Sequence, residues 1–320
     1  MSPAGVRALA GQRVFVTGGH GFLGQPTCRR LAEAGAEVVA PTHAELELLA
    51  LEPTCAAVAA ASPSVLLHLA AHVGGIGANQ RHPGAFWRDN LLMGVHVLEA
   101  ARRAGVRRVV VVGTVCSYPK FTPVPFLESS LWDGFPEETN APYGVAKRAL
   151  LTGLEAYRLE FGLAGAFLLP ANMYGPRDDF DLETSHVIPA MVRKCEEARV
   201  AGRDEVVLWG TGAATREFLY VEDCAEALVL AAASLDDPAP VNLGTGREIS
   251  MRDLAARIAA ATGFAGRFRW DATRPDGQPR RALDTQRAQA RLGWRARTAL
   301  EEGLSATVAW YRAHGPGARA

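Results

Sequence analysis

The feature that most constrains the fold is a regular alternation of short apolar runs with helical patterns. Residues 13–17 (RVFVT) form the first run, a glycine-rich turn and a helical pattern to Ala34 follow, and a second run occupies 37–40. The alternation continues through further runs and helical patterns, at 64–69, 85–103, 107–112, 143–161 and 165–169. β-Branched runs that alternate with helices are typical of a parallel sheet covered on both faces. The sequence therefore predicts an α/β protein with a doubly wound parallel sheet.

The turn after the first run has the sequence TGGHGFLG, residues 17–24. Glycines at this place permit a tight turn and let the backbone approach a pyrophosphate, and the following helix N-terminus attracts the anion. A glycine triplet alone is a weak signal, but its position after the first strand of an alternating α/β chain strengthens it. The turn predicts a dinucleotide site that includes Gly18, Gly21 and Gly24.

The second apolar run indicates which dinucleotide is bound. Enzymes that use NAD commonly place a carboxylate after this strand, on the ribose hydroxyls. Pro41, Thr42 and His43 stand there instead, which favours NADP, with NAD as the alternative because no arginine is present either. We expect His20 and His43 to lie near a 2′-phosphate.

Composition limits the function classes. The chain has 320 residues, 48% of them hydrophobic and 21% charged, with zero formal net charge, as expected of a soluble globular protein. The sequence contains no basic block of the kind that binds nucleic acid. It also contains no apolar run of membrane-spanning length and no signal segment. The five cysteines lack metal-ligand spacing, so no metal site is predicted. We expect a cytoplasmic protein.

Tyr143 and Lys147 are the first candidate catalytic residues. Lysine occurs only at positions 120, 147 and 194, among 34 Lys and Arg residues, so Lys147 suggests a role that arginine would not fill. Residues four apart share one helix face, and a nearby ammonium is expected to lower the pKa of the phenol. Tyr143 could then exchange a proton with a substrate oxygen.

Thr114 and Cys116 follow the fourth predicted strand, at the sheet edge where open α/β sheets bind ligands. If the backbone stays extended, positions two apart point the same way, and both side chains face one site. Thr114 offers a hydroxyl to a substrate oxygen, and Cys116 offers a thiol that could act as a base.

These features together resemble the extended short-chain dehydrogenase/reductase family, and within it the GDP-L-fucose synthase group. The resemblance covers about residues 13–313. The segments that carry it are HLAAHVGGIGAN (68–79), TVCSYPK (114–120), PEETNAPYGVAK (136–147), PANMYGPRDDF (170–180), SHVIPA (185–190), LWGTGAATREFLYVED (208–223), VNLGTG (241–246) and PDGQPRRALD (275–284).

The resemblance implies an epimerase/reductase that acts on a GDP-4-keto-6-deoxyhexose with NADPH. It implies a reductase set of Thr114, Tyr143 and Lys147, and an acid/base pair for epimerisation, Cys116 and His186. The implied cofactor-binding residues are Gly18, His20, Gly21, Phe22, Leu23, Gly24, His43, Leu69, Ala70, Ala71, Tyr143, Lys147, Pro170, Asn172, Met173 and His186. The implied substrate-binding residues are Asn140, Lys194, Trp209, Arg216 and Arg281.

A change in the sequence after Pro170 predicts a domain division, and the resemblance implies a dimer. After Pro170, loops rich in Pro, Gly and Asp separate helical patterns near 187–198, 221–233, 251–261 and 300–312. We expect a Rossmann-type domain over 10–176 with about 217–243, and a smaller α/β lobe for the nucleotide sugar over 177–216 and 244–314. The helices at 85–103 and 143–161 are expected to form a four-helix interface in a homodimer.

Three alternatives stay open at this point. One is a GDP-mannose 3,5-epimerase that retains NAD, and a second has the same chemistry on a GDP-heptose or antibiotic sugar. The third is a non-catalytic dinucleotide sensor on the same fold, which would not need the set of Thr, Cys, Tyr, Lys and His. The sequence does not decide which of Cys116 and His186 is the base.

Overall fold

The structure, a computed structural model, describes residues 8–274 and 276–317. Its strands are β1 (Arg13–Thr17), β2 (Glu37–Val39), β3 (Val65–His68), β4 (Arg108–Val112), β5 (Ala164–Pro170), β6 (Asn172–Tyr174), β7 (Glu205–Trp209), β8 (Thr215–Tyr220), β9 (Val241–Leu243), β10 (Glu248–Ser250) and β11 (Arg267–Asp271). Its helices are α1 (Gly24–Glu33), α2 (Leu51–Ala61), α3 (Ile76–Arg81), α4 (Pro83–Arg103), α5 (Ala141–Phe161), α6 (Val187–Val200), α7 (Val221–Ser234), α8 (Met251–Thr262), α9 (Gln286–Leu292) and α10 (Leu300–His314).

A six-stranded parallel sheet forms the centre, in the order β2-β1-β3-β4-β5-β9. The chain runs from β1 outward to β2 and then returns to β3 on the other side of β1. Because strand–helix–strand crossovers are right-handed, α1 and α4 cover opposite faces of this sheet. The reversal leaves a crevice at the carboxyl ends of β1 and β3, where doubly wound sheets bind ligands. The predicted fold class is confirmed.

The central strands are apolar because both of their faces are covered. Val14, Leu66, Val110 and Leu168 have no exposed surface. Helix α4 packs against both α2 and α5, and α1 packs against α7. The long apolar runs in the sequence are therefore strands buried on two sides, as was predicted.

A second hydrophobic core lies in the carboxyl-terminal part of the chain. It includes Phe180, Ile188, Leu254 and Val308. Two small sheets accompany it, β10-β8-β6 and β11-β7, which the sequence analysis did not predict. The domain boundaries expected from the sequence remain a prediction. Helix α9 falls within the range expected for the smaller lobe, but it packs on the first core through residues such as Ala288.

Within the described residues, no helix is both long and apolar enough to cross a membrane. In the same part of the chain, no group of three or more His, Cys, Asp or Glu side chains is arranged to hold a metal ion.

Candidate active site

A cleft of about 1230 Å³ opens at the carboxyl ends of the central strands and extends to the loops of the second core. Every candidate residue named from the sequence lines this cleft, although those residues are spread from position 18 to position 281. The fold thus brings the expected cofactor, catalytic and substrate residues together, while their individual roles stay predictions.

The glycine turn is shaped for close backbone approach. Gly18 has φ +69°, and a Cβ on it would lie 2.7 Å from the backbone nitrogen of Ala70. A Cβ on Gly24 would lie 2.0 Å from the carbonyl oxygen of Gly18, so only glycine lets α1 begin here. The amino end of α1 faces the cleft, which fits the pyrophosphate of a dinucleotide.

The end of the cleft beside this turn carries two imidazoles. His20 Nε2 lies 2.8 Å from the carbonyl oxygen of Ala40, which orients the ring at the end of β2. His43 is exposed, and its Nε2 lies 3.8 Å from Glu47. Glu47 also lines the cleft and was missed by the sequence analysis, which considered only the positions next to the strand.

Tyr143 and Lys147 lie in the first two turns of α5, deep in the cleft. Burial raises the pKa of the Tyr143 phenol, the negative charge that Cys116 can carry raises it further, and a hydrogen bond with Thr114 partly offsets both effects. The expectation that Lys147 lowers this pKa is therefore wrong for the protein alone, because desolvation dominates. The phenol is protonated at neutral pH, as a proton donor must be.

Lys147 is 2% exposed, and burial lowers its pKa to about 8. His68 lies nearby with its Nδ1 2.9 Å from the Thr17 hydroxyl. Burial, together with the positive charge of Lys147, lowers the pKa of His68 to about 3, so this histidine stays neutral. Lys147 thus carries the positive charge at the floor of the cleft near neutral pH.

Thr114 and Cys116 face the cleft through a turn and not through an extended strand. The residues Val115–Ser117 form a single 3₁₀ turn, and the Thr114 hydroxyl accepts a hydrogen bond from the Cys116 backbone nitrogen at 3.2 Å. The prediction of extended backbone was wrong, since the threonine caps the turn. Gly144 permits the contact with α5, because a Cβ there would lie 2.4 Å from the Cys116 carbonyl oxygen.

His186 precedes α6 and makes no side-chain capping hydrogen bond to it. Its side chain is exposed to solvent at the cleft, whose walls it helps to form. Burial within those walls lowers the pKa of the imidazole, and Asp179 partly offsets this effect. His186 is therefore available to the cleft as an acid/base group.

The residues expected to bind GDP lie at the other end of the cleft. Lys194 donates to the Val207 carbonyl oxygen at 3.1 Å, and burial lowers its pKa. Trp209 is half exposed, under the guanidinium of Arg274. Two cations and an exposed indole suit a diphosphate and a base, respectively.

Arg216 and Arg281, which are also expected to bind GDP, contact groups of the protein itself. Arg216 donates to the backbone oxygens of Thr215 and Asp276. Arg281 turns inward, to the sulfur of Cys116. Asn140 bonds to Thr139 and Glu137 in the protein alone, so its predicted contact with substrate stays a prediction.

The sequence analysis missed Asp178 and Gln278, both buried in the cleft wall. Burial raises the pKa of Asp178 to about 8, and its Oδ2 has no hydrogen-bond partner among the described residues. Both residues lie in segments that carried the family resemblance, which was the signal available for them.

Comparisons with known proteins agree with this geometry. Residues 14–244 match the model of the NAD dependent epimerase/dehydratase family. The chain belongs to this family. Its glycine turn, Thr114, Tyr143 and Lys147 all lie within the matched residues, as do Cys116 and His186.

Family members with close sequence similarity are named as GDP-L-fucose synthases. A probable GDP-L-fucose synthase 1 of Oryza sativa subsp. japonica is 41% identical over 94% of this chain and 92% of its own length. The GDP-L-fucose synthase of Escherichia coli (strain K12) is 37% identical over 95% of this chain and 97% of its own.

Among solved structures, a GDP-L-fucose synthetase from Naegleria fowleri bound to NADP has a TM-score of 0.88 at 26% identity. The match covers 97% of this chain and 95% of that one. A GDP-6-OMe-4-keto-L-xylo-heptose reductase from C. jejuni has the same TM-score, 0.88, at 22% identity, and shows a shared fold.

Proposed function

We propose that the protein is a bifunctional 3,5-epimerase/4-reductase that converts GDP-4-keto-6-deoxy-D-mannose to GDP-L-fucose with NADPH. The observation that carries this proposal is that one cleft is lined by a reductase set and by a separate acid/base pair. A reductase alone has no need of Cys116 and His186, and the names of the similar proteins favour a net reduction over an epimerase that regenerates its cofactor. The names of the similar proteins support the same substrate.

The reduction requires a proton donor at the C4 oxygen. When bound, NADPH supplies a hydride to C4. Tyr143 donates its phenolic proton to the oxygen that forms, and its raised pKa keeps that proton in place until then. Thr114 hydrogen bonds to the phenol and orients the same oxygen, while the positive charge of Lys147 stabilises the phenolate that is left.

Epimerisation requires acid/base groups at C3 and C5. The C4 ketone makes the hydrogens on both carbons acidic, and inversion needs proton removal from one face and proton return on the other. Cys116 and His186 are the groups proposed for these steps. The enolate that forms between them carries its charge on the C4 oxygen, where Thr114 and Tyr143 donate hydrogen bonds.

The GDP part is proposed to bind at the far end of the cleft. Lys194 and Arg216 provide positive charge for the diphosphate, and Trp209 provides an apolar wall for the base. The dinucleotide occupies the opposite end, along the glycine turn and the residues Leu69–Ala71. Both ligands therefore fit into one continuous cleft.

The proposed assembly is a homodimer in which α4 and α5 pair with the same helices of a second copy. Their outer faces are unusually apolar for solvent-facing helices. Trp87 and Val95 on α4 and Leu159 on α5 are exposed, and Ala149 and Ala156 continue the α5 stripe at helical spacing.

The test is to offer GDP-4-keto-6-deoxy-D-mannose in D₂O with NADPH, while the absorbance of the reduced nicotinamide and deuterium at C3 and C5 are followed. We expect cofactor oxidation with deuterium at both carbons. Deuterium without oxidation would overturn the reductase half, and oxidation without deuterium would overturn the epimerase half.

Two variants separate the halves. Tyr143→Phe removes the phenolic hydroxyl and should slow NADPH oxidation about 100-fold or more, while deuterium exchange continues at a reduced rate because Thr114 still donates to the enolate oxygen. Cys116→Ala should instead suppress exchange with the reductase set intact. Loss of both signals in each variant would contradict the separate roles.

A further inference from the structure

Glu137 is a buried acidic residue in the wall of the cleft, and the family resemblance implied no role for it. It is 8% exposed and lies in the turn that precedes α5. Within the part of the chain that the structure describes, it forms no salt bridge. A carboxylate that leaves water needs hydrogen-bond donors in its place. The partners of its two oxygens therefore indicate what the residue does.

One oxygen of Glu137 is occupied by the turn. Oε2 accepts hydrogen bonds from the Thr139 backbone nitrogen at 3.2 Å, from the Thr139 hydroxyl, and from Asn140 Nδ2 at 3.2 Å. The turn is itself tied to α5, because the Asn140 carbonyl oxygen accepts from the Gly144 backbone nitrogen at 2.9 Å. The protein alone thus holds the Glu137 side chain in one orientation.

The other oxygen, Oε1, is open to the cleft. It accepts no hydrogen bond from the described residues, and it is not one of the fully enclosed polar atoms. A carboxylate accepts hydrogen bonds and donates none. A nucleotide sugar is already negative at its diphosphate, so the part of it that suits Glu137 is a neutral group with a hydrogen to donate, such as a hydroxyl.

Glu137 lies within electrostatic range of the arginine proposed for the diphosphate. Burial and then the positive charge of Arg281 lower the pKa of Arg216 to about 10. Negative charge on Cys116, Asp276 and Glu137 raises it again in part. Cys116 and Glu137 thus both act on Arg216. The part of the ligand that joins a diphosphate to the carbons undergoing epimerisation is the hexose, so Glu137 faces the sugar and not the base.

We propose that Glu137 is a specificity-determining residue that accepts a hydrogen bond from the hydroxyl at C2 of the hexose. This rests on the proposed function, in which the diphosphate is attached at C1 and protons are exchanged at C3 and C5. A 4-keto-6-deoxyhexose keeps hydroxyls only at C2 and C3. The hydroxyl at C3 moves when that carbon is inverted, whereas C2 keeps its configuration. A fixed acceptor can therefore hold the C2 hydroxyl throughout the reaction.

The test compares ligands that differ only in the hexose, on protein saturated with NADPH. GDP-D-mannose has a hydroxyl and not a ketone at C4, so it binds without turnover, and GDP lacks the sugar. We expect Glu137→Gln to weaken GDP-D-mannose binding about tenfold, because a charge-assisted hydrogen bond is lost. GDP binding should not weaken, since no bond to GDP is removed. Isothermal titration calorimetry measures both Kd values.

GDP-D-glucose tests the position of the contact, because it differs from GDP-D-mannose only in the configuration at C2. We expect the unsubstituted protein to bind GDP-D-mannose about tenfold more tightly than GDP-D-glucose. Glu137→Gln should lose this preference. If the preference persists in the variant, the contact at C2 is wrong.

Glutamine is chosen because it preserves the turn. Its amide oxygen can take the place of Oε2, and its amide nitrogen then replaces the oxygen that is open to the cleft. Glu138→Gln is the matched control, since Glu138 is exposed and pairs with Lys120. It should bind all three ligands like the unsubstituted protein. If Glu137→Gln unfolds, Glu137→Asp, which withdraws the carboxylate by one methylene, takes its place with the same expected loss.

An equal loss of GDP and GDP-D-mannose binding in a folded variant would overturn the proposal, because Glu137 would then only shape the cleft. Unchanged GDP-D-mannose binding would overturn it too, as would its absence in the unsubstituted protein. The titrations involve no turnover, so a failed assay in D₂O would count against the proposed function and leave these Kd values readable. Normal turnover with unchanged Kd values would do the reverse.

Discussion

At the scale of single residues, the burial of the Lys147 ammonium lowers the stability of the folded protein, while the reaction requires this residue. Its pKa falls from 10.5 to about 8 on burial, so the unfolded chain binds the proton more tightly than the folded one. Between these two pH values stability rises with pH, and below pH 8 the full cost of burying the ammonium is present. We expect Lys147→Met to raise the free energy of unfolding at pH 7 by about 2 kcal/mol and to abolish the reduction.

The measurement is chemical denaturation of both proteins from pH 7 to pH 10, in which the stability gain of Lys147→Met should shrink as pH rises. Lys120→Met is the control, because Lys120 is at the surface and pairs with Glu138, which raises its pKa. A stability loss in Lys147→Met at pH 7 would mean that the ammonium has a stabilising partner and that the argument from burial is wrong.

His20 and His43 carry the second residue-scale prediction. They are the two imidazoles at the cleft end where the adenosine 2′-phosphate is expected. We expect His20→Ala or His43→Ala to weaken NADPH binding about fivefold, since a charge-assisted hydrogen bond is lost. NADH binding, measured by the same fluorescence titration, should not change. An equal loss for both cofactors would show that the imidazoles only support the loop.

At the scale of elements, the outer faces of α4 and α5 predict the assembly. We expect Val95→Glu or Ala149→Glu to convert the dimer to a monomer, because each places a charge in the middle of the proposed four-helix contact. Light scattering after gel filtration measures this. Val200→Glu, at an even more exposed apolar position at the end of α6, should leave the dimer intact. A protein that is monomeric before any substitution would refute the interface.

The elements also show what the sequence could and could not predict. Five of the six strands of the central sheet were predictable because burial on both faces makes each a continuous apolar run, and their observed ends differ from the predicted ones by at most one residue. The sixth strand, β9, has only three residues and was not predicted. Strand β6 has only three residues, and β10 is partly exposed along its length, so neither has a periodicity to detect. The contact between Arg281 and Cys116 depends on folding across the whole chain, and no local pattern could reveal it.

At the scale of the whole molecule, one cleft is shared by two cores, and its two ends have different chemistry. The glycine turn and the imidazoles lie at one end, on the first core, while Lys194 and Trp209 lie at the other, on the second. A ligand that binds only the folded cleft stabilises the protein by about 2.7 kcal/mol at 100 times its Kd. If the ends are separate subsites, NADP and GDP should each raise the melting temperature.

Together they should raise it by about the sum of the two shifts, because neither occupies the residues of the other and independent binding free energies add. Thermal unfolding with each ligand and with both measures this, and UDP in place of GDP tests whether the base is read as well as the diphosphate. A combined shift no larger than that of NADP alone would mean that GDP competes for the dinucleotide end. The substrate assignment of Lys194 and Trp209 would then be wrong, while the assignment of the catalytic residues would stand, since it depends only on the shared middle of the cleft.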